Sequence, residues 1–431
     1  MLCLDGDDPA SSRGAPVNLA TRIFLALLAG LAAGAIVPML GGPGVSAATL
    51  AIAEPVGNLW LQALQMTIIP LIAGLLFTGI AESVGTAGGG KVAGAALLSF
   101  LILLLVSAVW SILFVPELLS VWPAPVQAAA ALTGAAPGTA AAVGPINVGE
   151  WLLSLVPSNV FKSLAAGDML PVVVFVSAFA LAAGRLPERQ QAPLILFFES
   201  LKDAMLVLVG WIFILGPIGV FALAMAVGLK AGLAAFGVLA HYVAVLVIAQ
   251  VSLILVVYVL MAVFGGGVVR FARAVLPAQA VAVSTQSSIA SLPAIYEGAE
   301  QLGLPESVSR VVLPLAVSIF RITSPCANIA VVLYVGHLNG IAPGPLALAA
   351  GVLASLAAAV STGGLPGSIT FLAATVPIAN AMGIPVAALP LLLAVELLPD
   401  IFRTLGNVTA DLAVTSILSR RLKLENTAAQ V

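Results

Sequence analysis

The chain has 431 residues, 61% of them hydrophobic and 8% charged, with sixteen Lys and Arg against eighteen Asp and Glu. A soluble globular domain carries roughly 25% charged residues. This composition, with a mean hydropathy of +1.18, excludes an ordinary cytosolic enzyme and makes a polytopic membrane protein the default, and the helical spans that follow make it an all-α integral membrane protein. The net charge of −2 gives no basis for a nucleic-acid partner, and two cysteines, Cys3 and Cys326, supply neither a disulfide framework nor a metal cluster.

Residues 1–16 are polar and lack the basic start of a signal peptide, so they read as a short solvated tail. No Asp, Glu, Lys or Arg lies between Glu54 and Glu82, Lys91 and Glu117, Asp203 and Lys230, or Lys230 and Arg270. A spanning helix needs about 20 apolar residues. The gaps predict helices near 19–40, 56–81, 91–115, 151–184, 191–228 and 234–264. Residues 119–149 are rich in Ala, Gly and Pro without Lys or Arg, and read as a long outer loop. Arg13, Arg22, Lys91, Arg185, Arg189, Arg270, Arg273 and Arg420 to Lys423 fall at ends that alternate to one side. The positive-inside rule puts those ends and both termini in the cytoplasm, with Lys230 as an exception at an outer turn.

Beyond residue 266 the pattern changes. Two apolar segments are interrupted at their middles, at Ser284–Pro293 (STQSSIASLP) and at Ser361–Ser368 (STGGLPGS). Each has arms too short to span alone, and each precedes a helix with polar residues at mid-depth. The first such helix breaks at Arg321-Ile322-Thr323-Ser324-Pro325; the second carries Glu396, Asp400, Arg403, Asn407 and Asp411. The interruptions are 77 residues apart and the charged patches 79. One hairpin and one helix make an odd number of crossings, so the unit recurs inverted, a common transporter architecture. Backbone at membrane depth must be hydrogen-bonded or line a polar cavity. Broken tips rich in Ser, Thr and Gly therefore offer free amides and carbonyls to a ligand, although a loop that only packs would carry the same residues.

Charges inside a membrane are costly and commonly functional. Glu396, Asp400, Arg403, Asn407 and Asp411 are spaced by 4, 3, 4 and 4 and share one helix face. A guanidinium there suits two-point recognition of a carboxylate, and Asp400 suits an ammonium. An internally neutralised network with Arg403 paired to Asp400 is the structural alternative.

At these residues the sequence resembles the dicarboxylate/amino acid:cation symporter family, the glutamate-transporter homologues, from about residue 19 to 420. The pieces that carry the resemblance are Leu155-Val156-Pro157-Ser158-Asn159, Pro217 to Ala222, Ser287-Ser288 with Leu292-Pro293, Gly363 to Gly367, and Asp400-x-x-Arg403-Thr404-x-x-Asn407-Val408-Thr409-x-Asp411. The resemblance implies eight transmembrane helices plus two re-entrant hairpins, a homotrimer in the plasma membrane, and elevator-type movement of a transport core. It divides the chain into a tail (1–17), N-terminal scaffold helices (18–265, with 91–115 joining the moving part), a transport core (266–420) and a second tail (421–431). It implies a substrate site built from Ser287, Ser288, Ser324, Gly364, Pro366, Gly367, Asp400, Arg403 and Asn407. Arg403 would take a substrate side-chain carboxylate, Asp400 the amino group and Asn407 the main carboxylate. Cation ligands would come from Asp411, Asn407, Ala316, Phe320, Ser318 and Thr362. The substrate would be an acidic amino acid or related dicarboxylate, with sodium and/or a proton as coupling ion and no other cofactor.

The chain departs from the family where an Asn-Met-Asp-Gly-Thr signature is expected and Phe320-Arg321-Ile322-Thr323-Ser324 stands instead. The third-helix positions that would complete that cation site are Phe100, Leu103 and Leu104, so this site is expected to be absent. Arg321 reads either as a tethered cation (or second carboxylate contact) or as a side chain snorkelling to the membrane edge. With Glu396, Asp400 and Asp411 facing Arg403 and Arg321, the core carries net −1 and needs fewer bound cations to offset its burial. A carboxyl in an apolar setting can carry a proton, which makes Glu396 a second coupling candidate. An anion pore, an intramembrane enzyme and a non-transporting sensor are the alternatives from other classes. No catalytic set is visible. Gly85 to Lys91 fits a phosphate-loop spacing but is followed by Val92 and preceded by no strand. Gly30-x-x-x-Gly34, His241 and His337 read as packing.

Overall fold

The computed structural model describes residues 19–86, 90–124, 153, 156–166, 169–232, 234–265, 267–362 and 367–428. The N-terminal tail, most of the 119–149 loop, residues 363–366 of the second interruption and the last three residues of the C-terminal tail lie outside them. The described residues form helices and connecting turns, with no strand among them.

Separate helices near 19–40 and 56–81 are expected, but the stretch between them is helical too. Helix α1 runs Leu19–Thr86 and leaves helical geometry only at Gly42, with φ 65° and ψ −172°, a backbone state open to a residue without Cβ. Pro43 follows at once, at the first position of the second arm, where the N–H it lacks has no helical partner anyway. Helix α2 is Gly90–Val121. The single helix expected over 151–184 is instead α3 (Val160–Ala166) and α4 (Met169–Ala183). Pro157 lies outside the helix, and Asn159 Oδ1 accepts the Lys162 N–H at 3.1 Å, capping α3. The helix expected over 191–228 is also two: α5 (Glu188–Ile214) and α6 (Gly216–Ala231), bent by 59° at Leu215 before Gly216-Pro217. Helix α7 (Ala234–Leu260) ends in a π turn, Met261–Gly265.

The second half follows the expected pattern of interruptions. Helices α8 (Val268–Thr285) and α9 (Ser288–Leu302) pack on each other across a tight tip. Gln286 closes that tip in the left-handed region at φ 52°, and Ser287 Oγ accepts the Ala290 N–H at 3.2 Å to cap α9. Helix α10 (Glu306–Ile319) stops at Phe320, which is extended, and α11 (Thr323–Leu338) begins three residues later. Helices α12 (Pro345–Ser361) and α13 (Gly367–Ala381) form the second pair. The short α14 (Leu389–Leu393) and the long α15 (Leu397–Ala428) complete the chain.

Helix α11 is the axis. Every residue from Thr323 to Leu338 except His337 is buried, and α2, α7, α12, α13 and α15 all pack against it. A helix apolar on all sides must be enclosed by other helices. Four helical runs among the described residues are long and apolar enough to cross a membrane: α1, α2, α7 and the Glu306–Leu338 run of α10 and α11; the bent α5–α6 pair makes a fifth.

The largest helix pairing joins α1 to α6, and glycines let it close. A Cβ on Gly30 would lie 2.5 Å from the Phe221 carbonyl, one on Gly228 2.6 Å from the Leu31 carbonyl, and one on Gly34 would strike the Met225 carbonyl. Backbone therefore meets backbone, the use of small residues expected inside a bilayer. Trp60 Nε1 donates to the Ile212 carbonyl at 3.1 Å. Lys230, out of place under the charge rule, is held by Glu54 at 2.5 Å, tying the end of α6 to α1. Gly34→Val should force α1 off α6 and cost about 1–3 kcal/mol. Thermal unfolding of the detergent-purified protein, with the exposed Gly44→Val as control, checks this; equal midpoints for the two variants would refute it.

Candidate functional site

The charged face of α15 lies inside the protein. Asp400, Arg403, Asn407 and Asp411 are buried, and Glu396 is fully so. Glu396 sits in the turn between α14 and α15 rather than within the helix. The Asp400 N–H still donates to the Glu396 carbonyl at 2.9 Å, so the helical register, and with it the shared face, extends back to residue 396.

Arg403 pairs more closely with Glu396 than with Asp400, the partner named from the sequence. Its Nη2 donates to Glu396 Oε1 in a direct ion pair, and Nη1 donates to Asn328 Oδ1 of α11 at 3.2 Å. Asp400 Oδ1 stands 3.7 Å from Arg403 Nε, close enough to feel the charge and too far for a hydrogen bond. Both of those atoms are buried with no hydrogen-bond partner. The second Glu396 oxygen accepts from the Tyr242 hydroxyl of α7 at 3.4 Å. The guanidinium is thus neutralised on one edge and open on another.

Asn407 is half engaged in the same way. Its Oδ1 accepts the Thr323 N–H at 3.0 Å and lies 2.7 Å from Thr323 Oγ1, which is also 2.8 Å from the Arg403 carbonyl. This fixes the amide with Nδ2 turned away and unpartnered. Both carboxylate oxygens of Asp411 are also unpartnered. Native proteins leave few buried polar atoms unsatisfied, and each exception calls for an explanation. Among the described residues seven side-chain atoms are in this state, and five belong to Asp400, Arg403, Asn407 and Asp411. The open valences therefore gather on one helix face. They comprise donors for a carboxylate (Arg403 Nε, Asn407 Nδ2), an acceptor for an ammonium (Asp400 Oδ1) and a carboxylate for a cation (Asp411).

Two chain breaks border this face. Gln286 at the α8–α9 tip shares a cavity of about 50 Å³ with Glu396, Asp400, Trp60 and Phe213. Ser287 and Ser288 beside it are half-buried, with Ser287 Oγ committed to its cap. At the α10–α11 break, Ser324 is buried and its N–H donates to the Arg321 carbonyl at 2.9 Å. Arg321 is itself buried, and its Nη1 donates to the Thr362 carbonyl at 2.9 Å. The side chain turns inward, contrary to the snorkelling alternative. Of the second interruption, Gly367 begins α13, while Gly364 and Pro366 lie outside the described residues.

The expected cation ligands differ in what already engages them. Asp411 and Asn407 share the open face. The Thr362 carbonyl is held by Arg321, and the Ala316 carbonyl accepts the Phe320 N–H at 2.8 Å. The Ser318 side chain is exposed. Phe320 is buried against Phe100 of α2, with ring centroids 4.7 Å apart and planes 12° from parallel. Just beyond, α2 clasps the break with hydroxyls. Ser107 Oγ donates to the Ile322 carbonyl and accepts the Cys326 N–H at 3.2 Å, and Ser111 Oγ donates to the Cys326 carbonyl at 2.9 Å. His241 is held between the Tyr334 hydroxyl at 3.0 Å and the Trp122 carbonyl at 3.1 Å, a packing role as read from the sequence.

The profile of the sodium:dicarboxylate symporter family matches residues 19–421. The chain belongs to this family. The family consists of transporters, not enzymes, and the apolar helices fit a protein that crosses the membrane several times. Its relatives include a proton/sodium-glutamate symport protein of Bacillus caldotenax, 27% identical over 94% of each chain. A proton/glutamate-aspartate symporter of Escherichia coli (strain K12) is 25% identical over 85% of this chain and 84% of the relative. A C4-dicarboxylate transport protein of Rhizobium johnstonii is 26% identical over 97% and 93%. In this symporter Thr323, Asn328, Tyr242, Gln286 and Ser107 join the site without having been singled out from the sequence. Thr323 lay inside the stretch that replaces the family signature, and Asn328 was a lone amide in an apolar helix. Nothing local marked Tyr242 or Ser107.

The serine clasp makes a prediction. Ser107→Ala leaves the Ile322 carbonyl and the Cys326 N–H without a partner at a buried break. Unmade buried hydrogen bonds cost roughly 1–3 kcal/mol each. The thermal midpoint should drop clearly, more than for Ser99→Ala, whose hydroxyl only returns to the Ala95 carbonyl one turn back. Equal midpoints for the two variants would show that the clasp is idle.

Proposed function

We propose that the chain is a secondary active symporter that carries an acidic amino acid or a related C4-dicarboxylate, coupled to sodium, protons or both by alternating access. The observation that carries this reading is the row of unpartnered buried atoms on α15. A substrate side-chain carboxylate meets Arg403, its ammonium meets Asp400 Oδ1, and its main carboxylate meets Asn407 Nδ2. Asp411 supplies the charge for a sodium ion. Retention of both Asp400 and Arg403 favours aspartate or glutamate over succinate, which has no ammonium to offset Asp400.

The Arg403–Glu396 pair supports a route for proton coupling. A carboxylate arriving at Arg403 competes with Glu396 for the guanidinium. Released into an enclosed site, an ionised Glu396 would be an uncompensated buried charge, which costs several kcal/mol. Taking up a proton removes that cost, so substrate and proton enter together. The Phe100–Phe320 stack, with Ile322 where the family carries a carboxylate, supports the loss of one cation site.

The same reading takes α8–α9 and α12–α13 as re-entrant hairpins within eight spans. It takes residues 18–265 as scaffold, with α2 joining a moving core of 266–420 through its contacts with α11. The assembly is a homotrimer in the plasma membrane with both termini cytoplasmic.

Proteoliposomes test the reading. Uptake of labelled aspartate or glutamate, at least about 10-fold above succinate and driven by an imposed sodium or proton gradient, is expected. No uptake of any of the three under either gradient would overturn it. Within an active preparation, Glu396→Gln should abolish stimulation by an inward proton gradient while leaving stimulation by sodium. Unchanged proton stimulation would remove Glu396 from the coupling path.

A further inference from the structure

Arg321 lies in the break between α10, which ends on the extended Phe320, and α11. It is only 9% exposed. A guanidinium so enclosed must be met by negative charge. Its Nη1 donates to the carbonyl of Thr362, the residue that caps the C-terminus of α12. The carbonyls at a helix C-terminus carry the equivalent of about half a negative charge. Asp400 and Asp411 are buried too, and each has carboxylate oxygen without a donor. A carbonyl at a helix C-terminus is a partner that a small free cation takes. Here a side chain of the protein takes that carbonyl.

We propose that the Arg321 guanidinium is a tethered cation that takes, at the C-terminus of α12, a position a free sodium ion would otherwise fill, so that the chain couples one fewer ion. The inference rests on the reading of the chain as a cation-coupled symporter. It is separate from the site closed by Phe100 and Phe320, because it concerns the C-terminus of α12 rather than α2, and from the sodium assigned to Asp411. A tethered charge travels with the protein in both directions and draws nothing from an ion gradient. The electrical part of the driving force given up is roughly 50-fold in accumulation for each charge moved through about 100 mV. In exchange, the contact at α12 does not depend on how much sodium is present.

Three variants decide the matter. Arg321→Ala removes both the charge and the donor, Arg321→Gln keeps a donor without the charge, and Arg321→Lys keeps the charge. Uptake is measured against sodium concentration in proteoliposomes, and thermal midpoints are measured in detergent with sodium or choline. Arg321→Ala and Arg321→Gln should show a sodium dependence steeper by about one ion than the parent. Their sodium-dependent rise in midpoint should exceed the parent's by about 3 °C at saturating sodium. Millimolar methylguanidinium should restore at least about 5-fold of the lost uptake of Arg321→Ala at low sodium, and Arg321→Lys should follow the parent. If Arg321→Ala does not fold, Arg321→Gln carries the test alone. Sodium dependence and midpoint shifts in Arg321→Gln equal to the parent's would overturn the proposal and leave Arg321 a structural hydrogen-bond donor. The midpoint measurement needs no transport, so an inactive parent would count against the symporter reading and not against the cation at α12.

Discussion

A guanidinium that cannot lose its proton lies in the interior of this protein, at Arg403, and the arrangement around it follows from the need to compensate that charge. In a medium of low polarity an unpaired ion is too costly to keep. Glu396 is drawn back onto the face of α15 by the helical hydrogen bond between residues 396 and 400. Tyr242 reaches the far oxygen of Glu396, Asn328 faces the guanidinium from α11, and Asp400 stands off at 3.7 Å. Four residues are committed to one side chain. The compensation is nonetheless partial, and the part left over lies beside Asn407 and Asp411.

Helix breaks make this arrangement possible. A continuous helix uses its own carbonyls and amides; an interrupted one releases them at depth. The chain interrupts itself at Gln286, at Phe320 to Ile322 and at Thr362, past the end of α12. Each released group is answered by a different device: a serine cap at Ser287, a hydroxyl clasp from Ser107 and Ser111, a guanidinium from Arg321. The left-handed Gln286 belongs with these devices. A non-glycine residue held at φ 52° is uncommon, and here it closes a hairpin tip against Glu396 and Asp400.

Much of this was legible in the residues. The 4, 3, 4, 4 spacing placed five polar positions on one face because helical geometry leaves no alternative. The Ser-rich interruption at 284–293 marked the first hairpin because such residues disfavour the middle of a helix. What escaped were choices between equivalent partners. From Arg403, Asp400 at three residues and Glu396 at seven lie on the same face, and only side-chain packing decides between them. Arg321 could lie inward or outward for the same reason. The extent of α1 is hidden because Gly41, Gly42, Pro43 and Gly44 are residue types of turns, whereas a single glycine at Gly42 followed by Pro43 costs the helix only one residue. The polar role of Ser107 depends on α2 lying against a break more than two hundred residues away, which no local pattern encodes.

The seam between α1 and α6 has a mechanical meaning. Where two helices touch through their backbones, there are no long side chains between them to flex and absorb shear. Gly30, Gly34 and Gly228 make such a seam, and Glu54 with Lys230 pins one end of it. The pair therefore acts as a stiff strut whose members shift together or not at all. Any deformation during a working cycle is displaced to the places where the chain has already given up helical continuity, and the 59° elbow at Leu215, at the root of α6, lies next to that strut.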